Sequence, residues 1–261
     1  MKQQKVLFML ALGLIYSCQN GASKDKSEAS PQEISFYTSD SIQIIGDLYE
    51  LNKTATTILL FHQGGSNARA EYGPIIPRLI DKGFNVLAID QRMGGQTYGN
   101  YNRTIANIPN HSFENPYTYC DAYNNLEAAL NYIIQSNFTG KKIAWGSSYS
   151  ASLAIQLAAN HAKDISGVLA FSPASGRSMT DCQPNIYFDK LTPPLLLLRP
   201  SSELQNENAK AQFELAVQHG HQTYPAEQGV HGSSMLVEER VGNDVEKNWS
   251  AVSRFLEAFR E

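Results

Sequence analysis

The chain has 261 residues, 42% of them hydrophobic, and a formal net charge of −4. That length and apolar share suit one α/β domain with a sizeable core and argue against disorder along the whole chain. No block of Lys and Arg is long enough to form a phosphate-binding stripe, so nucleic acid is not an expected partner.

Lys2 and Lys5 precede an apolar run, residues 6–15, that is too short to span a bilayer and has the flanks of an export signal. Ile15 is large where ordinary signal cleavage wants a small residue. Ile15-Tyr16-Ser17-Cys18 instead resembles a bacterial lipobox, in which the chain is cut before a cysteine that carries acyl groups. The motif implies a signal peptide over residues 1–17 and lipidation at Cys18. The protein would then be held at the cell envelope, periplasmic or outer, through a lipid anchor alone. Plain secretion with Cys18 incidental is the alternative. Residues 18–33, polar and aperiodic, read as a tether, and residues 34–261 as the domain. Export leaves Cys120 and Cys182 in an oxidising compartment, either paired as a disulfide or as separate buried thiols.

The domain opens with residues 35–37 and 42–49, an expected antiparallel hairpin turned at Ser39-Asp40. Residues 56–61 (TTILLF) form a β-branched, apolar run suited to a strand buried on both faces. Ile75, Ile76, Leu79 and Ile80 fall at helical spacing within residues 71–82, closed by Gly83. Residues 85–89 give the next strand. Residues 91–116, rich in Gly, Asn and Tyr, read as a long loop, and long loops in compact domains are commonly functional. Beyond it, helices are expected over residues 119–135, 148–161, 207–219 and 243–260. Strands are expected over residues 142–145, 165–171, 195–198 and 222–224. Strands alternating with helices imply a mostly parallel central sheet of about eight strands, covered on both faces.

Gly146-Ser147-Ser148-Tyr149-Ser150 joins a strand to a helix, the context in which a serine can be lifted above a sheet by a strained turn. Only Ser148 has Gly two positions before it and a small residue two after, which makes it the candidate nucleophile. Alone, the same residues could be a polar turn without chemistry. His62-Gln63-Gly64-Gly65-Ser66 follows the strand over residues 56–61. Glycines there let backbone N–H groups approach a developing oxyanion, and Gly64, favoured over Gln63, together with the N–H of Tyr149 is the expected donor pair. His62 reads as a brace for that loop.

Of six histidines, His231 stands in a Gly-flanked loop after the last strand and before the final helix, from which it can reach Ser148. The others lack that setting, although His111 in the long loop could touch substrate. The acid is expected just past the strand over residues 195–198. Glu203 fits that turn, with Glu207 as its rival, more naturally a helix-start residue. Tyr98, Tyr101 and His111 are expected to contribute walls to the pocket.

These residues resemble the α/β-hydrolase superfamily, particularly its dienelactone-hydrolase-like and esterase-like branch. The resemblance is carried by LLFHQGGSNARAEYGPIIPRLIDKGFNVLAIDQRMGG (residues 59–95), GSSYSASLAIQLAA (146–159) and GVHGSSML (229–236). It implies structural roles for Asp90 and Arg92 and covers the chain from about residue 34 onward. Ser150 replaces a usual glycine, and Arg199-Pro200 with Glu203 stand where that branch often has His-Gly and Asp. The expected function is a serine hydrolase acting on a small ester or amide through an acyl-enzyme on Ser148, with Glu203 and His231 as acid and base. A serine peptidase of the same fold and a non-catalytic surface binding lipoprotein are the alternatives. No metal or other cofactor is implied.

Overall fold

Successive side chains of a strand point to opposite faces, so an unbroken apolar strand can be buried only when both faces of its sheet are covered. Thr57–Phe61 (β3) is built this way. Ile58 and Leu60 pack into one core, Leu59 and Phe61 into the other, and the whole strand is buried. The computed structural model describes residues 30–109 and 117–260; the expected signal segment, Cys18 and His111 lie outside them.

Eight strands form one sheet among the described residues: β1 (Gln32–Tyr37), β2 (Gln43–Tyr49), β3, β4 (Asn85–Asp90), β5 (Lys142–Ser147), β6 (Gly167–Phe171), β7 (Leu195–Pro200) and β8 (Gln222–Ala226). Their spatial order is β1-β2-β4-β3-β5-β6-β7-β8. β2 runs antiparallel to both neighbours and every other pair is parallel. The helices are α1 (Ala68–Tyr72), α2 (Ile76–Asp81), α3 (Arg103–Ala106), α4 (Tyr123–Gln135), α5 (Tyr149–Asn160), α6 (Glu207–Gln218), α7 (Glu238–Val241) and α8 (Glu246–Glu257). Apolar residues of α4, α5 and α6 fill the core on one face, and those of α1, α2 and α8 the core on the other. None of these helices is long and apolar enough to cross a membrane.

Crossover connections from β3 lead to β4 on one side, while β5 lies on its other side. The strand order therefore reverses between β3 and β5, and a crevice opens outside their carboxyl ends. The loop after β3 and the turn after β5 both face that crevice.

Two expected elements take a different form. Residues 71–82 are two short helices rather than one. Asn67 caps α1 by accepting the Ala70 N–H, and Gly73-Pro74 interrupts the run because proline supplies no N–H to continue it. The segment 91–116 is not loop throughout, since α3 lies within it. Asn102 caps α3, and its Arg103 and Thr104 are buried against β2 and β4. The expected terminal helix, residues 243–260, is α8, preceded by the short α7 and by Gly242 in a left-handed conformation.

Cys120 and Cys182 are joined in a disulfide, with Cα atoms 5.6 Å apart, which resolves the alternative left open by their spacing. Asp90 and Arg92 act in the framework. Asp90 accepts the Ala68 and Arg103 N–H groups and the Arg103 side chain, and the buried Arg92 pairs with Asp40 through both guanidinium ends. That pairing holds the Asp40 carboxyl well below the usual carboxylate range.

Candidate active site

The turn after β5 places Ser148 at φ 60° and ψ −122°, a conformation that costs a non-glycine residue about 1–3 kcal/mol. Backbone bonds hold it there: Ser148 N–H donates to Phe171 O at 2.8 Å, and its carbonyl accepts from Ala151 and Ala174. Helix and strand approach so closely that a Cβ on Gly146 would lie 2.2 Å from the Ser150 carbonyl oxygen. Ser150, the residue standing for a usual glycine, is fully buried. Its hydroxyl reaches the carbonyls of Phe61, His62 and Ser147 at 2.7–2.9 Å and accepts the Ser147 N–H. The substitution thereby fastens the elbow to the end of β3.

The loop after β3 is braced from beneath. His62 is fully buried, with Nδ1 against Gln63 O and Nε2 accepting the Gln91 N–H, both at 2.9 Å. This assigns the proton to Nδ1, and burial pushes the imidazole below its usual pKa. Gln63 spends its own N–H on Glu71 Oε2 at 2.8 Å. The Gln63 N–H is thereby committed to Glu71, and Gly64 is the residue of this loop that faces Tyr119. Tyr149 begins α5, whose first N–H groups have no intrahelical acceptor.

His231 and Glu203 come together. His231 Nδ1 lies 2.6 Å from Glu203 Oε1, and the imidazole is about half exposed. Glu203 Oε2 accepts from Arg199 at 2.7 Å and Oε1 from the Ser172 hydroxyl at 3.2 Å. Burial pushes the Glu203 carboxyl up, but the hydrogen bond and charge of His231, with those of Arg199, outweigh it and leave the group below its usual pKa. It is thus a carboxylate at neutral pH. Glu207, the rival acid, opens α6 on the exposed surface, where the helix dipole favours it.

The loop carrying His231 docks directly on the elbow. Ser233 N–H donates to Ser147 Oγ at 2.9 Å and Gly232 N–H to Ser172 Oγ at 3.1 Å. Gly232 has φ 69°, and a Cβ there would sit 2.3 Å from Ser147 Oγ, so only glycine permits this contact. Of the residues expected to wall the pocket, Tyr98 contacts the loop that follows His231 and the loop after β3. Its hydroxyl meets Ser234 at 3.0 Å and Gln63 Nε2 at 3.4 Å, while the Arg240 guanidinium stacks on its ring. Tyr101 stays on the surface at 61% exposure. An open cleft of about 360 Å³ adjoins His231, lined also by Gly176, Arg199, Asn206 and Asn208.

Three contributors went unread in the sequence. Ser172, at φ 49°, links the acid to the His231 loop. Arg199, 4% exposed, holds the Glu203 carboxylate from behind. Glu71, fully buried, supports the loop after β3. The signal for Ser172 was present: a Ser-Pro pair closing a buried strand at the carboxyl edge. Glu71 carried no signal beyond its place at the start of the expected helix over residues 71–82, and Arg199 stood out only as part of the Arg199-Pro200 departure. Among the described residues no group of three or more His, Cys, Asp or Glu is placed to hold a metal ion.

No family model and no curated protein matches the chain. Solved structures do. The esterase Pf2001 of Pyrococcus furiosus superposes with a TM-score of 0.66 at 18% identity, over 89% of this chain and 92% of that one. A dienelactone hydrolase from Anabaena variabilis gives 0.60 at 16% identity, over 88% and 99%. An acylaminoacyl peptidase of Pyrococcus horikoshii gives 0.61 at 12% identity, over 88% of this chain and 41% of that one. The chain has the α/β-hydrolase fold.

Proposed function

We propose that the chain is a serine hydrolase, a carboxylic-ester hydrolase working through an acyl-enzyme on Ser148. The observation that carries this reading is the Glu203–His231 hydrogen bond, on loops fastened to the turn that holds Ser148 in its strained conformation. With Nδ1 engaged by the carboxylate, His231 Nε2 is the nitrogen free to take the Ser148 proton. Ser148 Oγ then attacks the substrate carbonyl. The oxyanion gathers the N–H groups of Gly64 and Tyr149, and His231 returns the proton to the leaving alkoxide. Water, activated by the same imidazole, releases the acid. The same fold in an esterase and in a dienelactone hydrolase supports the class.

A fluorophosphonate probe is expected to label wild type and not Ser148→Ala. Glu203→Gln is expected to lower kcat by about 10³-fold without unfolding the protein, because the imidazolium loses its counter-charge. Folded wild-type protein that resists the probe would instead mark a binding module. The second reading is a peptidase, favoured by the superposition on the acylaminoacyl peptidase. Parallel assays on p-nitrophenyl esters and aminoacyl anilides separate the two: turnover of the anilides alone would replace the first reading by the second.

We further propose export and lipid attachment at Cys18, with the domain starting near residue 34. The Cys120–Cys182 disulfide, a bond that persists in oxidising compartments, supports this placement. Fatty-acid labelling in a bacterial host is expected for wild type and lost in Cys18→Ala; equal labelling of both would remove the assignment.

A further inference from the structure

We infer that the hydroxyl of Tyr119 is a third oxyanion donor, a side chain completing the pair of backbone N–H groups at Gly64 and Tyr149. The inference rests on the serine-hydrolase reading and adds to it a catalytic residue. Tyr119 touches both oxyanion residues at once. Its ring stacks on that of Tyr149, with centroids 4.6 Å apart and planes within 24° of parallel. Its Oη lies 2.8 Å from the point where a Cβ on Gly64 would stand. The glycine therefore does more than admit the substrate: any side chain at that position would displace the phenol.

The hydroxyl is uncommitted where its neighbours are not. Tyr149 O–H donates to Met93 O at 2.8 Å and Tyr72 O–H to Phe61 O at 2.7 Å, while Tyr98 Oη meets Ser234. Tyr119 Oη makes no hydrogen bond among the described residues, and the side chain is only partly buried. A phenolic O–H without an acceptor, held against the oxyanion loop, is the donor such a site needs once negative charge develops. Its position is fixed rather than fortuitous, because the next residue, Cys120, is bonded to Cys182. During attack the Ser148 Oγ–carbon bond forms as the carbonyl π pair moves to oxygen. Tyr119 shares its proton with that oxygen through a hydrogen bond and keeps it throughout.

Tyr119→Phe removes the hydroxyl and retains the stacked ring, so the full chain can be compared with wild type and Ser148→Ala on one p-nitrophenyl ester. The expected result is a kcat lower by about 100-fold with KM within about twofold and an unchanged melting temperature. Phenylboronic acid, whose tetrahedral adduct on serine places an oxygen in the same hole, is expected to bind the variant correspondingly more weakly. Wild-type kcat and boronate affinity in Tyr119→Phe would overturn the inference, as would a raised KM alone, which would make the phenol a pocket wall. Turnover that survives in Ser148→Ala, or is missing in wild type, would bring down the hydrolase reading and this inference with it.

Discussion

Glu203 shows how neighbours decide the state of one carboxyl. Burial alone would favour its neutral form, yet His231 on one oxygen and Arg199 on the other keep it charged. Glu71 has the opposite outcome. It is wholly buried, one oxygen holds the Gln63 N–H, and the other has no hydrogen-bond partner. Burial pushes its pKa from 4.5 up to about 7, against the lowering effects of Ser147, Gln63, Arg240 and His231. A carboxyl whose folded pKa is raised binds more protons folded than unfolded. Its contribution to stability is full below pH 4.5 and is lost as pH rises through about 7. Glu71→Gln does not titrate, so its stability relative to wild type is expected to rise by about 2–3 kcal/mol between pH 5 and pH 8. Urea unfolding at both pH values measures this, and a difference independent of pH would show that Glu71 does not titrate in that range.

At the scale of elements, the geometry of the site is set where strands end. β3 delivers the glycine loop, β5 the turn with Ser148, β6 the bridging Ser172, β7 Glu203 and β8 the loop with His231. Hydrogen bonds tie these segments to one another: Ser150 to Phe61 O, Ser233 to Ser147 and Gly232 to Ser172, each joining segments that follow or end different strands. Strand identity was legible because short, continuous apolar and β-branched runs are local properties. The break at Gly73-Pro74 was legible too, but helical spacing of Ile75, Ile76, Leu79 and Ile80 outweighed it in the reading. α3 was missed because four residues, capped by Asn102 and held by Asp90 and Thr104, leave no periodic signal.

For the whole molecule, the reversal of strand order between β3 and β5 creates the crevice, and the disulfide bolts the segment before α4 to the loop after β6. Closing a loop of 62 residues is expected to contribute about 4 kcal/mol by restricting the unfolded chain. Reduction should therefore lower the melting temperature by about 10 °C, measured by calorimetry with and without reductant. An unchanged transition would mean that native contacts alone fix that segment.

By itself the sequence determined the α/β-hydrolase fold and the candidates Ser148, His231 and Glu203, since each depends on residue type and on position after a recognisable strand. The contact of Glu203, rather than Glu207, with His231, the commitment of the Gln63 N–H, the pairing of Cys120 with Cys182 and the buried supports Glu71, Arg199 and Ser172 required the tertiary structure. The physical reason is one of range. Backbone propensity and apolar periodicity act over a few residues, whereas a hydrogen bond between side chains 28 positions apart exists only once the sheet has brought their loops together.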